Sequence, residues 1–118
     1  MASPVTNKRR GAQWELDLLK GLREEGFKVE RLRLAGTLDE GDLVIQHGVD
    51  DIDIVEAKTG AFVPGMWDEA VREAKQYAKA RGLSPETINP VVIKKNPGKS
   101  WRQAFVIVSL ADYYGLDS

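Results

Sequence analysis

The run Asp42-Leu43-Val44-Ile45-Gln46-His47-Gly48-Val49-Asp50-Asp51-Ile52-Asp53-Ile54-Val55-Glu56-Ala57-Lys58 holds two apolar, β-branched segments around a short glycine-bearing turn. It predicts a β-hairpin, one strand over 42–45 and the other over 51–58. Side chains alternate faces along a strand, so Glu56 and Lys58 share one side while Val55 and Ala57 take the other. A charged pair thus interrupts an Ile/Val strand, and the hairpin can bring Asp42 beside Glu56. An ordinary ion pair at a sheet end gives the same pattern, so other residues must decide.

Upstream of the hairpin, Ala12, Leu16, Leu19 and Leu22 recur at helical spacing and Gly26 supplies a stop, predicting a helix over 11–25. Phe27 to Leu34 reads as a strand with one wet face, and 35–41 as a loop. Downstream, 59–65 is a loop, Met66 to Arg81 a helix ended by Gly82, and Val91 to Ile93 a short buried strand. A turn around Pro97-Gly98, a strand over 104–108 and a final helical turn over 110–114 complete the chain. The order αβββαββ predicts an α/β single domain, a mixed β-sheet of about five strands flanked by helices. Residues 1–10, with Lys8, Arg9 and Arg10 and no apolar periodicity, read as a flexible basic N-terminal arm. Residues 11–118 form the domain.

One globular core suits 118 residues, 42% of them hydrophobic and 30% charged. The absence of cysteine rules out disulfides and thiolate chemistry, leaving oxygen and nitrogen to hold any metal. No apolar run reaches membrane-spanning length and the first residues lack a signal core, so the expected location is the cytoplasm, with no membrane partner. A net charge of -1 denies the blanket positive field of many nucleic-acid binders, so DNA contact needs local patches and a metal.

On a helical wheel, Glu15 falls inside the arc of Ala12, Leu16, Leu18, Leu19 and Leu22. A core-facing carboxylate calls for a cation, a metal or strong hydrogen bonds. A salt bridge at the helix edge, with Arg23 for instance, is the plainer explanation. Asn96-Pro97-Gly98-Lys99-Ser100 ends like a phosphate-binding loop, but Ile93 stands where the earlier glycine belongs, so a β-turn is expected. His47 in its turn reads as a surface residue, Asp50, Asp51 and Asp53 as solvated strand-end charges, and Gln76 as lying on the wet face of its helix.

Asp42, thirteen intervening residues and Glu56-Ala57-Lys58, preceded by a helix bearing Glu15, resemble the PD-(D/E)XK nuclease superfamily and, within it, Holliday junction resolvases of the archaeal and phage type. Arg10-Gly11-Ala12, Glu25-Gly26-Phe27, Gly41-Asp42-Leu43, the Trp67-Asp68-Glu69-Ala70 helix start and the 91–108 hairpin also match, over roughly residues 8–116. Gly41 replaces the proline of the superfamily's name, and Thr37 is the nearest hydroxyl to a serine those resolvases carry. The resemblance implies a restriction-endonuclease-like fold and a metal-dependent endodeoxyribonuclease with Glu15, Asp42, Glu56 and Lys58 as catalytic residues. Asp42, Glu56 and the Ala57 carbonyl would ligate Mg²⁺, with Mn²⁺ an expected substitute and Glu15 acting directly or through water. Lys58 would orient the attacking water or neutralise the transition state.

The implied partner is branched DNA, a four-way junction, cut by a homodimer making paired symmetric nicks. Expected DNA contacts are Lys8, Arg9, Arg10, Thr37, Lys94, Lys95, Lys99 and Arg102, with the wet face of the second helix (Arg72, Lys75 and Lys79) as a further patch. The dimer surface is expected among Phe62, Val63, Met66, Trp67 and Tyr77. Competing readings are a related nuclease acting on flaps, nicked or single-stranded DNA, and a catalytically silent nucleic-acid-binding recombination accessory domain.

Overall fold

Five strands form one mixed sheet in sequence order in the computed structural model, which describes residues 4–32 and 41–117. β1 (Lys28–Arg31), β2 (Leu43–Gly48) and β3 (Asp51–Lys58) make an antiparallel meander. β4 (Ile88–Lys94) runs parallel to β3, and β5 (Phe105–Ile107) closes the edge antiparallel to β4. A parallel neighbour requires a crossover. Helix α2 (Pro64–Ala80) provides it and covers one face of the sheet, while α1 (Pro4–Glu24) covers the other. The last helix, α3, spans Leu110–Tyr114.

Strand alternation divides the core in two. Val55 of β3 joins Trp14, Leu18 and Leu19 of α1 against Val29, Leu43, Ile45, Val91 and Ile93. Ile52 and Ile54 pack with Ile88 against Ala74, Tyr77 and Ala78 of α2. The same alternation sends Glu56 and Lys58 toward α2. No described helix is long and apolar enough to cross a membrane.

Three boundaries differ from the sequence expectation. Helix α1 begins at Pro4, so the break expected between a flexible arm and the domain at residue 10 is absent from the described backbone. Proline suits a first helical turn, and a glycine inside a helix costs only about 1 kcal/mol, so Gly11 does not interrupt it. β1 is shorter than Phe27–Leu34 because its ladder with β2 covers only Lys28–Arg31. β4 is longer than Val91–Ile93 and contains Pro90. Because β5 pairs only with Val92, Ile93 and Lys94, Pro90 lies where β4 has a neighbour on one side, and its missing N–H costs no bond on the other.

Gly41, just before Asp42, has φ +103°, a conformation strained for residues other than glycine. A Cβ there would meet Ile54 Cγ2 at 2.8 Å, so the glycine lets the chain enter β2 against β3 and sets Asp42 at the strand head. Gly41→Ala is expected to lower stability by about 2 kcal/mol or more, from left-handed strain plus the clash. Urea unfolding measures this, and a wild-type midpoint would refute it.

Candidate active site

The heads of β2 and the ends of β3 and β4 meet at one edge of the sheet, and there both helices contribute acids. Asp42, at the entry to β2, accepts the Ala57 amide on Oδ2 (2.8 Å), while its own amide donates to the Val55 carbonyl (3.0 Å). These bonds carry the antiparallel ladder one residue past Leu43 and fix the carboxylate across from the Glu56-Ala57-Lys58 segment. From α1, Glu15 shares a hydrogen bond with Asp42, and its Oε2 accepts Arg31 of β1 at 3.0 Å. Its cation partner is therefore Arg31, whereas Arg23 bonds Glu30 and the Val29 carbonyl.

Lys58 stands between two carboxylates, 3.4 Å from Glu56 Oε2 and 3.3 Å from Glu69 Oε2. Glu56 is 3% exposed and Glu73 is fully buried. Carboxylate oxygens of Glu56, Glu69 and Glu73 all lie within 4.8 Å of one another. Glu69 and Glu73, four residues apart on α2, were not expected from the sequence. The signal was present: Ala70, Glu73, Ala74, Tyr77 and Ala78 repeat with the spacing of a buried helix stripe, and Glu73 interrupts it.

Burial, then the Glu56 carboxylate, then the hydrogen bond that protonated Asp42 donates to Glu15 push the Asp42 carboxyl from 3.8 up to about 8, against the lowering effect of the Ala57 amide. Burial works against the Lys58 ammonium too, but the Glu56 and Glu69 carboxylates outweigh it and hold its pKa above the ordinary value. The site gathers negative charge in a desolvated place, offset in part by Arg31 and Lys58. All the converging donors are carboxylate oxygens, the ligands a hard divalent cation takes, so the residues fit such an ion.

Of the expected site residues, Glu15, Asp42, Glu56, Ala57 and Lys58 come together. Several expected DNA contacts are engaged within the protein. Lys94 donates to the carbonyls of Thr59 and Lys95, closing the loop after β3. Arg102 pairs with Glu25 and stands 4.8 Å over the Trp101 ring, and Lys95 lies 5.9 Å from the Trp14 ring. Arg9, Arg10 and Lys99 are exposed. Thr37 and the Lys8 side chain lie outside the described residues. His47 binds Asp53 at 2.8 Å at the other end of the hairpin, and Gly98 with φ +75° sits in the expected turn. Among the expected dimer-surface residues Tyr77 is buried in the α2 core, Met66 and Trp67 are half-buried, and Phe62 and Val63 are exposed.

No protein-family model and no curated sequence matches the chain. Among solved structures, the chain is similar to Archaeoglobus fulgidus Hjc, a Holliday junction resolvase from an archaeal hyperthermophile, with a TM-score of 0.52 and 21% identity. The alignment covers 91% of this chain and 95% of that one, so the two share their fold over nearly the whole domain.

The raised Asp42 carboxyl gives a signed expectation. Between its unfolded pKa near 3.8 and its folded value of about 8 the folded state holds the extra proton, so metal-free stability falls as pH rises through that window. Asp42→Asn is expected to raise the metal-free melting temperature at pH 8 by about 5 °C or more, with the gain vanishing toward pH 4. Calorimetry in chelator across this range checks it, and a pH-independent difference would refute the charge argument.

Proposed function

We propose that the chain is a divalent-metal-dependent endodeoxyribonuclease that cuts branched DNA, a four-way junction in particular, as a homodimer in the cytoplasm. The observation carrying this reading is the convergence of Glu15, Asp42, Glu56 and Lys58, with the Asp42 carboxyl lifted to about 8 by burial and by its acidic neighbours. The shared fold with an archaeal Holliday junction resolvase supports the substrate class.

Asp42, Glu56 and the Ala57 carbonyl would hold Mg²⁺ or Mn²⁺, with Glu15 directly or through water. When bound, the ion supplies charge neutralisation at the phosphate and makes water a better nucleophile. The chain's own contribution is orientation. The Ala57 amide and the Glu15–Arg31 pair fix Asp42 and Glu15 in place. Lys58, its ammonium favoured by Glu56 and Glu69, keeps its proton at neutral pH, so it donates a hydrogen bond and positive charge to the reacting phosphate or water and is no proton acceptor. Arg9, Arg10 and Lys99 supply phosphate contacts outside the site, with salt-dependent affinity and no sequence preference.

A junction presents two-fold related strands, which a C₂ dimer meets with two sites. For the dimer surface this reading takes the apolar residues of β5 and α3: Val106, Leu110, Tyr113 and Tyr114 are all more than 60% exposed, beside the open edge of the sheet.

Asp42→Asn, Glu56→Gln and Lys58→Ala are each expected to cut Mg²⁺-dependent cleavage of a four-way junction by about a thousandfold or more while the fold persists. Glu15→Gln should lower cleavage more than junction binding. Wild-type turnover in any of the first three removes that residue from the site. Equal cutting of junction and linear duplex would replace the junction reading with a general nuclease, and preference for flaps or single strands would redirect it. Binding without cleavage in any metal would mark a silent accessory domain.

Val106→Asp combined with Tyr113→Asp should convert a dimer into a monomer in analytical ultracentrifugation, leaving metal-dependent nicking intact but unpaired. A wild-type monomer with junction bound would overturn the dimer.

A further inference from the structure

On the α1 face, past the end of the acidic site, lies a cleft of about 330 Å³ between α1 and the loop after β4. Two indoles and three lysines line it. Trp101 rests on α1 where Gly21 leaves room: a Cβ at Gly21 would lie 2.4 Å from the Trp101 ring. The half-buried ring is also approached by the Arg102 guanidinium at 4.8 Å, which leaves the indole little freedom to turn. On the loop wall, Lys95, Lys99 and Ser100 place two ammonium groups and a hydroxyl around it. Ser100 accepts the Arg102 amide and keeps its own proton to donate. Asp17, Lys20 and Glu24 lie on the helix wall.

The cleft adjoins the acidic site through covalent and hydrogen-bonded neighbours. Its innermost residue, Trp14, precedes Glu15, and the Lys95 amide donates to the Lys58 carbonyl at 2.8 Å. The Lys58 side chain faces α2, so a polymer touching both Lys58 and the cleft passes across the end of the sheet. A fixed aromatic platform with two lysines on one wall is the chemistry that holds a nucleotide outside a duplex: the base stacks on the ring while phosphates meet the lysines of the loop. The two acids on the helix wall, Asp17 and Glu24, repel phosphate and accept exocyclic amino groups, setting the base toward α1 and the phosphates toward the loop.

We propose that the Trp101 cleft binds one unpaired nucleotide of the DNA strand that passes the acidic site, with the base against Trp101 and the flanking phosphates on Lys95 and Lys99. The inference rests on the nuclease reading for the identity of the polymer. It supplies a reason for preferring branched or frayed DNA over duplex, since a stacked and paired base cannot enter.

The test is binding in chelator, where no cleavage occurs, of a labelled oligodeoxyadenylate and a blunt duplex of equal length. Trp101→Ala is expected to weaken the single strand about tenfold or more and to leave duplex affinity as it was, while Trp101→Phe, which keeps a stacking face, retains most of the affinity. Lys99→Glu, at an exposed position that does not hold the fold, should weaken the single strand and lower its salt slope by about one counterion. Circular dichroism confirms that each variant is folded. Unchanged single-strand affinity in a folded Trp101→Ala protein overturns the proposal, as do equal losses on duplex and single strand, or deoxyadenylate monomer binding as tightly as the oligomer. If Trp101→Ala fails to fold, wild-type affinity in Lys99→Glu overturns it instead. Active Asp42→Asn with Trp101-dependent binding intact defeats the nuclease site alone, and an active wild type whose single-strand binding ignores Trp101 defeats the cleft alone.

Discussion

The bond from the Ala57 amide to Asp42 Oδ2 is the constraint on which the functional end of the molecule depends. It ties a carboxylate at the head of β2 to the strand that carries Glu56 and Lys58, and it forms only because Leu43 pairs with Val55 in the adjoining register. A slip of one residue would turn Glu56 and Lys58 toward α1 and bring Val55 to the face of α2. The apolar pattern of β3, with Ile52 and Ile54 on one side and Val55 on the other, guards against that slip. Hydrophobic register thus sets the position of the charged groups, although it contributes nothing to their chemistry.

The charges in turn work against folding. Asp42, Glu56 and Glu73 are wholly or largely withdrawn from water, and burial with the neighbouring Glu56 and Glu15 lifts the Asp42 carboxyl to about 8. Arg31 and Lys58 offset part of this. The remainder is carried by two apolar clusters on opposite faces of the sheet, which is why the acids hang from β3, α1, α2 and the residue that enters β2. A site this crowded with like charge, built on rigid elements, favours a ligand of opposite charge.

The sheet, its strand count and both long helices were legible because alternation and helical spacing encode burial directly. The strand motif was legible for the same reason: Glu56 and Lys58 stand out against Ile and Val. Glu15 was legible as a carboxylate inside an apolar arc, although the arc is centred nearer Trp14 and Leu18 than Ala12 suggested, with Ala12 exposed. Glu73 is equally legible on that criterion once the α2 stripe is centred on Ala70, Ala74 and Tyr77. What the sequence does not encode locally is pairing across elements. Arg31 as the partner of Glu15, and Lys94 spent on the Thr59 and Lys95 carbonyls, follow from tertiary geometry alone.

Lys94 and Lys99 show why counting basic residues misleads in a chain of net charge -1. The two are five residues apart, yet Lys94 closes the turn that leaves β3 and has its ammonium occupied by backbone oxygens, while Lys99 projects from the exposed turn after β4. A desolvated, hydrogen-bonded ammonium offers little further attraction to a phosphate, whereas an exposed one releases a counterion when it binds. Arg102, held by Glu25 and set over Trp101, belongs to neither kind: its charge is balanced, and its place is to stiffen the indole. Exposed positive groups lie at the start of α1, on the wet face of α2 at Arg72, Lys75 and Lys79, and on the loop that walls the Trp101 cleft. With a net charge of -1, such patches are local and the surface carries no uniform positive field.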